Sequence, residues 1–165
     1  MESGHLFRYN PLDTPDNIIR DKDGGLDTLF SEVYLLEKEF CGYTGHKYAV
    51  ALNSCGSSMF LALKAAGIQH GDKVFCNAFT FTAVPSSIVH AGGVPVYLEC
   101  NADYILDIED FKQKIKSHSD VRYLLLSYMR GHISDVEKIR EICVDNEITL
   151  IEDCAHSLGV TWQND

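Results

Sequence analysis

The sequence contains no long apolar run. No stretch of its 165 residues approaches the roughly 18 consecutive apolar residues that a membrane-spanning helix needs. The first ten residues, MESGHLFRYN, also lack the apolar core of a signal peptide. We therefore expect a cytoplasmic protein that makes no membrane contact.

Positive charge is scarce. The chain has 14 Lys and Arg against 24 Asp and Glu, which gives a formal net charge of -10. Nucleic-acid surfaces require clustered Lys and Arg, so this balance argues against a nucleic-acid partner.

The six cysteines form no C-x-x-C pair. This absence argues against a zinc or thioredoxin-type site, and we expect no metal. Because most of these cysteines lie within or beside apolar segments, we expect buried free thiols in a reducing compartment.

The chain does contain alternating apolar and amphipathic segments, with 45% hydrophobic residues overall. Residues 1–25 are predicted to be irregular and 26–40 to form a helix, because their apolar residues recur at helical spacing. Strands are predicted at 47–52, 73–78, 94–99, 121–127 and 148–153, and further helices at 57–66, 82–91, 107–115 and 134–146. Strand–helix alternation predicts an α/β fold, a parallel sheet with helices on both faces.

Ligands of such sheets bind beyond the carboxyl ends of the strands, so the strand ends hold the candidate site residues. In ALNSCGSSMFLAL, Asn53 or Ser54 can cap a helix whose backbone N–H groups at Gly56, Ser57 and Ser58 favour an anion. The alternative is an ordinary capped helix start. The stretch is not a P-loop, since it lacks G-x-x-x-x-G-K-[ST].

Three further strand ends carry candidate residues. Phe79 and Phe81 follow the second predicted strand. An aromatic residue there can stack on a flat ring, and the alternative is packing in the core. The segment SYMRGHIS collects polar side chains, and its alternative interpretation is a polar loop in which Ser134 caps the next helix. The polar residues of that segment are Ser127, Tyr128, Arg130 and His132.

The last predicted strand ends in a carboxylate. Asp153 closes an apolar run, and His156 follows three residues later. A helix cap or a structural hydrogen bond is one explanation, and a carboxylate that pairs with a protonated ring nitrogen is the other. Taken together, the four strand ends favour a ligand with a phosphate, a flat ring and a basic ring nitrogen, which describes pyridoxal 5′-phosphate.

The sequence resembles the DegT/StrS type of sugar aminotransferase, within the fold type I pyridoxal phosphate enzymes. The resemblance is carried, in this order, by LFRY, LLEKEF, KYAVALNSCGSS, GDKVFCNAFTFTAVPSSIVHAGGVPVYLE, SYMRGH and LIEDCAHSLG. It implies part of the large, cofactor-binding domain of such an enzyme over residues 26–165, without the small C-terminal domain, and a dimeric assembly.

The resemblance also implies roles for individual residues. Cys55 and Gly56 lie at the family's phosphate turn, next to Ser57, where Cys55 departs from the usual Gly-Thr pattern. Phe81 matches the aromatic residue that stacks on the pyridine ring, and Asp153 the carboxylate that pairs with its nitrogen. His156 lies where many members have Gln, near the phenolic oxygen of the cofactor. Tyr128 replaces a usual His, and with Ser127 and His132 it is a candidate substrate or cofactor contact.

The family's Schiff-base lysine lies beyond the segment that contains Asp153, and no lysine of this chain has that context. The last one is Lys138, on the helix before that strand. We therefore expect the chain to be the N-terminal half of an aminotransferase that acts on a nucleotide-linked keto sugar. We expect this half to be inactive alone. It would act as a homodimer or with a complementing half.

Two alternatives remain. The chain is a non-catalytic module that binds and regulates a full-length relative, or it is a generic doubly wound domain that binds another phosphate at Gly56. The second leaves Asp153 and Phe81 without a role.

Overall fold

The computed structural model describes residues 32–161, which divide into two compact units between Ala51 and Leu52. The helices are α1 (Glu32–Thr44), α2 (Cys55–Ala65), α3 (Ala83–Ala91), α4 (Ile108–Ser117) and α5 (Val136–Asp145). The strands are β1 (Lys73–Asn77), β2 (Val94–Leu98), β3 (Tyr123–Ser127) and β4 (Thr149–Asp153). No helix within 32–161 is long and apolar enough to cross a membrane. The predicted irregular segment 1–25 lies outside this range, and the predicted domain limits stay a prediction.

In the first unit, α1 continues past the predicted end at residue 40. It ends at Thr44, because Gly45 has a φ of +74°, a conformation that glycine adopts more readily than other residues. The Gly45 N–H still donates to the Cys41 carbonyl oxygen at 2.9 Å. The predicted start of this helix, 26–31, lies outside the residues that the structure describes.

The predicted strand at 47–52 is wrong. These residues adopt no strand, and the exposed fractions of Tyr48 and Val50 are 76% and 75%. A strand requires a neighbour that pairs with its backbone, and within 32–161 these residues have none. Apolar alternation alone does not reveal whether such a neighbour exists.

In the second unit, four strands form a parallel sheet in the order β2-β1-β3-β4. The register of the last pair runs from Tyr123 opposite Thr149 to Ser127 opposite Asp153. The two strands therefore end side by side. The predicted parallel α/β fold is confirmed.

Helices cover both faces of this sheet, as predicted. Val74 and Cys76 of β1 pack with α2 and α3, whereas Phe75 between them packs with α4 and α5. In β3, Leu125 likewise packs on the face of α2 and α3, whereas Leu124 and Leu126 pack on the face of α4 and α5. Strands buried on both faces read as continuous apolar runs, because each side chain has a core to enter.

Capping residues fix where the helices α4 and α5 begin after the strands that precede them. Asp107 caps α4 by accepting from the N–H groups of Glu109 and Asp110 at 2.9 and 3.1 Å. The alternative cap of α5 at Ser134 is wrong, because Asp135 is the capping residue. The Ser134 hydroxyl instead accepts from the N–H of Leu106.

Candidate functional site

The carboxyl ends of β3 and β4 and the start of α2 surround a cavity of about 520 Å³. Parallel strands place their carboxyl ends at one edge of the sheet, which is why residues far apart in sequence meet there. The residues that line it are Ser54, Cys55, Gly56, Met59, Phe81, Ala83, Ser127, Tyr128, Met129, Asp153, Ala155 and His156.

Asp153 lies in this lining with only 8% of its surface exposed. Its Oδ2 accepts from the Ser127 hydroxyl at 2.9 Å, and its Oδ1 accepts from the Ala155 N–H at 3.1 Å and the Cys55 thiol at 3.4 Å. All three donors are neutral, and within 32–161 no cationic side chain forms an ion pair with Asp153. A buried carboxylate held only by neutral donors suits a ligand that brings its own proton or positive charge.

Asn77 is a site residue that the sequence reasoning missed. Its side chain is 2% exposed, and its amide closes the gap between the ends of β1 and β3. Oδ1 accepts from the Ser127 N–H at 3.0 Å, while Nδ2 donates to the carbonyl oxygens of Ser127 at 3.0 Å and Phe79 at 2.9 Å. These contacts fix the backbone from which the Ser127 hydroxyl reaches Asp153. No local sequence pattern signals them, because the partner lies fifty residues further on.

Of the two residues predicted as possible caps of α2, Ser54 is the capping residue and Asn53 is not. The Ser54 hydroxyl accepts from the Ser57 N–H at 3.1 Å, and its carbonyl oxygen accepts from the Ser58 N–H at 3.0 Å. The predicted free N–H groups of Ser57 and Ser58 are therefore occupied, which corrects that part of the prediction. Within the described chain, the N–H groups of Cys55 and Gly56 donate to no acceptor. A Cβ at Gly56 would meet only Ser54 Oγ, at 3.9 Å, so the space beside that backbone is open.

Phe81 is 61% exposed and lines the cavity, so core packing does not account for it. Phe79, two residues earlier, packs against the Tyr104 ring with 5.0 Å between ring centroids. The structure therefore separates an aromatic residue with a protein partner from one whose face is available to a ligand.

Tyr128 lines the cavity, but its hydroxyl forms a hydrogen bond with a residue outside the lining. Its OH donates to the Glu152 carboxylate. Burial, followed by the hydrogen bond and negative charge of Glu152, raises the pKa of Tyr128 well above its ordinary value. The phenol is therefore a fixed neutral group between β3 and β4.

His156 joins the turns that follow β3 and β4. Its Nδ1 accepts from the Arg130 N–H at 3.0 Å, so the proton of the neutral ring lies on Nε2. Arg130 has a φ of +57° and Gly131 one of +76°, and a Cβ at Gly131 would approach the His156 carbonyl oxygen to 3.0 Å. Glycine is needed where the two turns approach so closely.

Of the residues that the resemblance assigns to the site, Ser57 and His132 lie outside the lining. Ser57 directs its N–H to Ser54. His132 is exposed, and its ring faces Tyr104 with 6.4 Å between centroids. The predicted ligand contacts of these two residues stay predictions that this cavity does not support.

The cysteines differ from the expectation of uniformly buried thiols. Cys76 and Cys143 are buried, whereas Cys55 and Cys154 are exposed. Although the Cys55 residue as a whole is exposed, its sulfur is partly buried at the contact with Asp153. This partial burial, then the charge of Asp153, raises the pKa of Cys55 from 9.0 to about 11. The Cys55 thiol is therefore a neutral hydrogen-bond donor to Asp153 at neutral pH.

No lysine or arginine within 32–161 lines the cavity. Lys64, in α2, instead donates to the carbonyl oxygens of Ile68 and Ala91, each at 3.2 Å. Among the described residues, the features at the start of α2 that favour an anion in the cavity are its backbone N–H groups and its helix dipole.

Comparisons with known proteins agree with this architecture. The model of the DegT/DnrJ/EryC1/StrS aminotransferase family matches residues 19–165. The chain belongs to that family.

Several relatives are sugar aminotransferases or proteins of polysaccharide synthesis. The spore coat polysaccharide biosynthesis protein SpsC of Bacillus subtilis is 32% identical over 80% of this chain and 34% of its own length. GDP-perosamine synthase of Vibrio cholerae is 31% identical over 74% of this chain and 33% of its own length. The structure of NtdA from Bacillus subtilis with bound cofactor PMP matches with a TM-score of 0.74 and 27% identity, over 78% of this chain and 29% of that one. The chain thus spans about a third of the length of its curated relatives.

Proposed function

We propose that this chain holds pyridoxal 5′-phosphate, or its amine form, and supplies the cofactor-binding portion of an aminotransferase that acts on a nucleotide-linked keto sugar. The observation that carries the proposal is the buried Asp153 carboxylate, which lines the cavity and has no cationic partner within 32–161.

The phosphate is the first part of the cofactor to test against the residues present. Cys55 and Gly56 offer two N–H groups without acceptors in the described chain, at the start of an 11-residue helix. The open space beside Gly56 lets a phosphate oxygen approach the backbone. Because no cation lines the cavity, these N–H groups and the helix dipole would carry most of the binding.

The ring is the second part. The exposed Phe81 side chain offers an apolar face at the cavity. Asp153 would accept a hydrogen bond from the protonated pyridine nitrogen, and His156 can donate from Nε2, since its Nδ1 is already an acceptor. The residues present therefore fit the group.

Bound in this way, the cofactor supplies an electron sink for chemistry at the amino carbon of a substrate. The chain's own residues bind the phosphate, orient the ring and keep a proton on its nitrogen. Covalent attachment needs a lysine, and no lysine among residues 32–161 lines the cavity, so we propose that residues 1–165 alone show no transaminase turnover.

The proposed substrate class rests on the relatives. GDP-perosamine synthase is named for a nucleotide-linked sugar, and the 3-oxo-glucose-6-phosphate:glutamate aminotransferase of Bacillus subtilis for a keto sugar phosphate and a glutamate donor. We propose a keto sugar as acceptor and glutamate as donor for the complete enzyme.

Calorimetric titration of the purified chain with pyridoxamine 5′-phosphate tests the proposal, because this ligand needs no lysine to bind. Unphosphorylated pyridoxamine and a nucleoside diphosphate are the comparison ligands. We expect saturable binding that is at least about tenfold weaker without the phosphate, since charge-assisted hydrogen bonds are each worth about 1.5–3 kcal/mol. Tighter binding of the nucleoside diphosphate would favour the generic phosphate-binding domain instead.

Association with a second polypeptide is a further part of the proposal. Large apolar side chains of α1, Leu35, Leu36 and Phe40, are exposed. Such a surface favours a homodimer, a complementing half or a full-length relative as partner. Light-scattering mass measurements, alone and with a full-length relative, separate a self-associating chain from a partner module. A chain that stays monomeric in both would contradict this part.

A further inference from the structure

The two oxygens of Asp153 are not equivalent. An ionised carboxylate has about four lone-pair positions, two on each oxygen. On Oδ1 both are used, one by the Cys55 thiol and one by the Ala155 N–H. On Oδ2 only the Ser127 hydroxyl is bound within the described chain. The remaining acceptor position of the carboxylate is therefore on Oδ2.

Ser127 controls the direction of that remaining position. Its hydroxyl is 2.9 Å from Oδ2 and occupies one of the two positions there, which leaves the other for a ligand. The position of the Ser127 backbone is fixed, because the Asn77 amide forms hydrogen bonds with both its N–H and its carbonyl oxygen, each at 3.0 Å. Both residues are buried, so water does not compete for these contacts.

We propose that Oδ2 of Asp153 is the atom that accepts a hydrogen bond from the protonated ring nitrogen of the cofactor, and that Ser127 is the positioning residue that orients Oδ2. The proposal rests on the proposed function, since it needs the cofactor in this cavity. It goes beyond that function by assigning the atom and the residue that orients it.

The position is tested with pyridoxamine 5′-phosphate carrying ¹⁵N in its ring, bound to the purified chain. The ¹⁵N chemical shift differs widely between a protonated and a neutral pyridine, so it reports the proton directly. In Ser127→Ala, Oδ2 loses its hydroxyl donor. The carboxylate is then less firmly aimed and a stronger competitor for the proton, since hydrogen bonds donated to a carboxylate favour its charged form. We expect the shift to move toward neutral pyridine and the dissociation constant to rise about tenfold.

Two further variants separate positioning from general damage. Ser127→Thr keeps a hydroxyl and is expected to restore both the shift and the affinity. Ser134→Ala removes another buried hydroxyl, the one that accepts from the Leu106 N–H, and Ser134 does not line the cavity. It is expected to lower thermal stability without moving the ¹⁵N signal.

Each result has a distinct meaning. If the wild-type chain binds no pyridoxamine 5′-phosphate, the proposed function fails. If the wild type binds while Ser127→Ala keeps the wild-type shift and an affinity within about twofold, the positioning role of Ser127 is overturned and the proposed function stands. Equal effects of Ser127→Ala and Ser134→Ala would also overturn it.

Discussion

The Ser127 hydroxyl donates a 2.9 Å hydrogen bond to Oδ2 of Asp153, and the two residues lie opposite each other where β3 and β4 end. The parallel register of β3 and β4 therefore places the Ser127 hydroxyl directly beside the buried Asp153 carboxylate, and no loop residue is needed for this contact. This pairing explains how Asp153 is tolerated at the end of an apolar strand and why one of its oxygens stays available.

Asp153→Asn is expected to weaken binding of pyridoxamine 5′-phosphate by at least about tenfold, because an amide pairs less favourably with a protonated ring than a carboxylate does. The substitution preserves shape, so we expect the thermal midpoint of the free chain to change little. Calorimetric titration and a thermal melt measure the two quantities. Equal affinities of variant and wild type would remove Asp153 from the site.

Phe81→Ala is expected to leave the free chain nearly as stable as the wild type, within about 0.5 kcal/mol, because the side chain is mostly exposed. Ligand affinity is expected to fall by about 0.5–1.5 kcal/mol, through loss of the aromatic contact. Phe79→Ala is the matched control, since Phe79 packs on Tyr104 and lies outside the lining. It is expected to lower stability and leave affinity unchanged; the reverse pattern would contradict the assignment.

Asn77→Ala is expected to destabilise the chain by about 2–3 kcal/mol, because it leaves a buried N–H and carbonyl oxygen of Ser127 without partners. Urea unfolding measures the change. Asn146→Ala, which removes an amide donor to the Ile142 carbonyl oxygen near the surface, is the control and is expected to cost less. Similar losses in both variants would deny Asn77 a special structural role.

The chain is expected to lose stability as the pH rises above about 9. Burial raises the pKa of Cys76 from 9.0 to about 12 and that of Cys143, where Glu152 contributes second, to about 11. Above pH 9 the unfolded chain releases these protons while the folded chain retains them, so unfolding becomes more favourable with rising pH. Urea unfolding at pH 8 and pH 10 measures the difference. In Cys76→Ala the decline is expected to be shallower, and an unchanged decline would assign it to other groups.

Alkylation of Cys55 is expected to be slow at neutral pH. Its raised pKa, about 11 against an ordinary 9.0, lowers the reactive thiolate fraction about a hundredfold. In Asp153→Asn the rate is expected to rise, because a negative charge near the sulfur is removed. Mass spectrometry of the iodoacetamide adduct follows the rate residue by residue, and faster alkylation in the wild type would contradict the Cys55–Asp153 contact.

Much of this fold follows from local patterns in the sequence. The four apolar strands and the helices between them were predictable, because burial on both faces of a sheet leaves continuous apolar runs. The Asp107 cap was predictable as well, since capping depends on the next three residues.

The features that sequence reasoning missed depend on distant partners. Residues 47–52 have strand-like composition and no strand to pair with in the described chain. Asn77 looks like an ordinary polar strand end until β3 is placed beside it. The occupied N–H groups of Ser57 and Ser58 are a different case, because they follow from a local choice between two possible caps, Asn53 and Ser54, that the sequence left open.

The most direct test of the proposed cofactor site is a crystal structure of the chain grown with pyridoxamine 5′-phosphate. We predict that the phosphate binds the N–H groups of Cys55 and Gly56, that the ring packs against Phe81, and that the ring nitrogen lies at Oδ2 of Asp153. A ligand bound elsewhere, or one whose ring nitrogen faces away from Asp153, would contradict it.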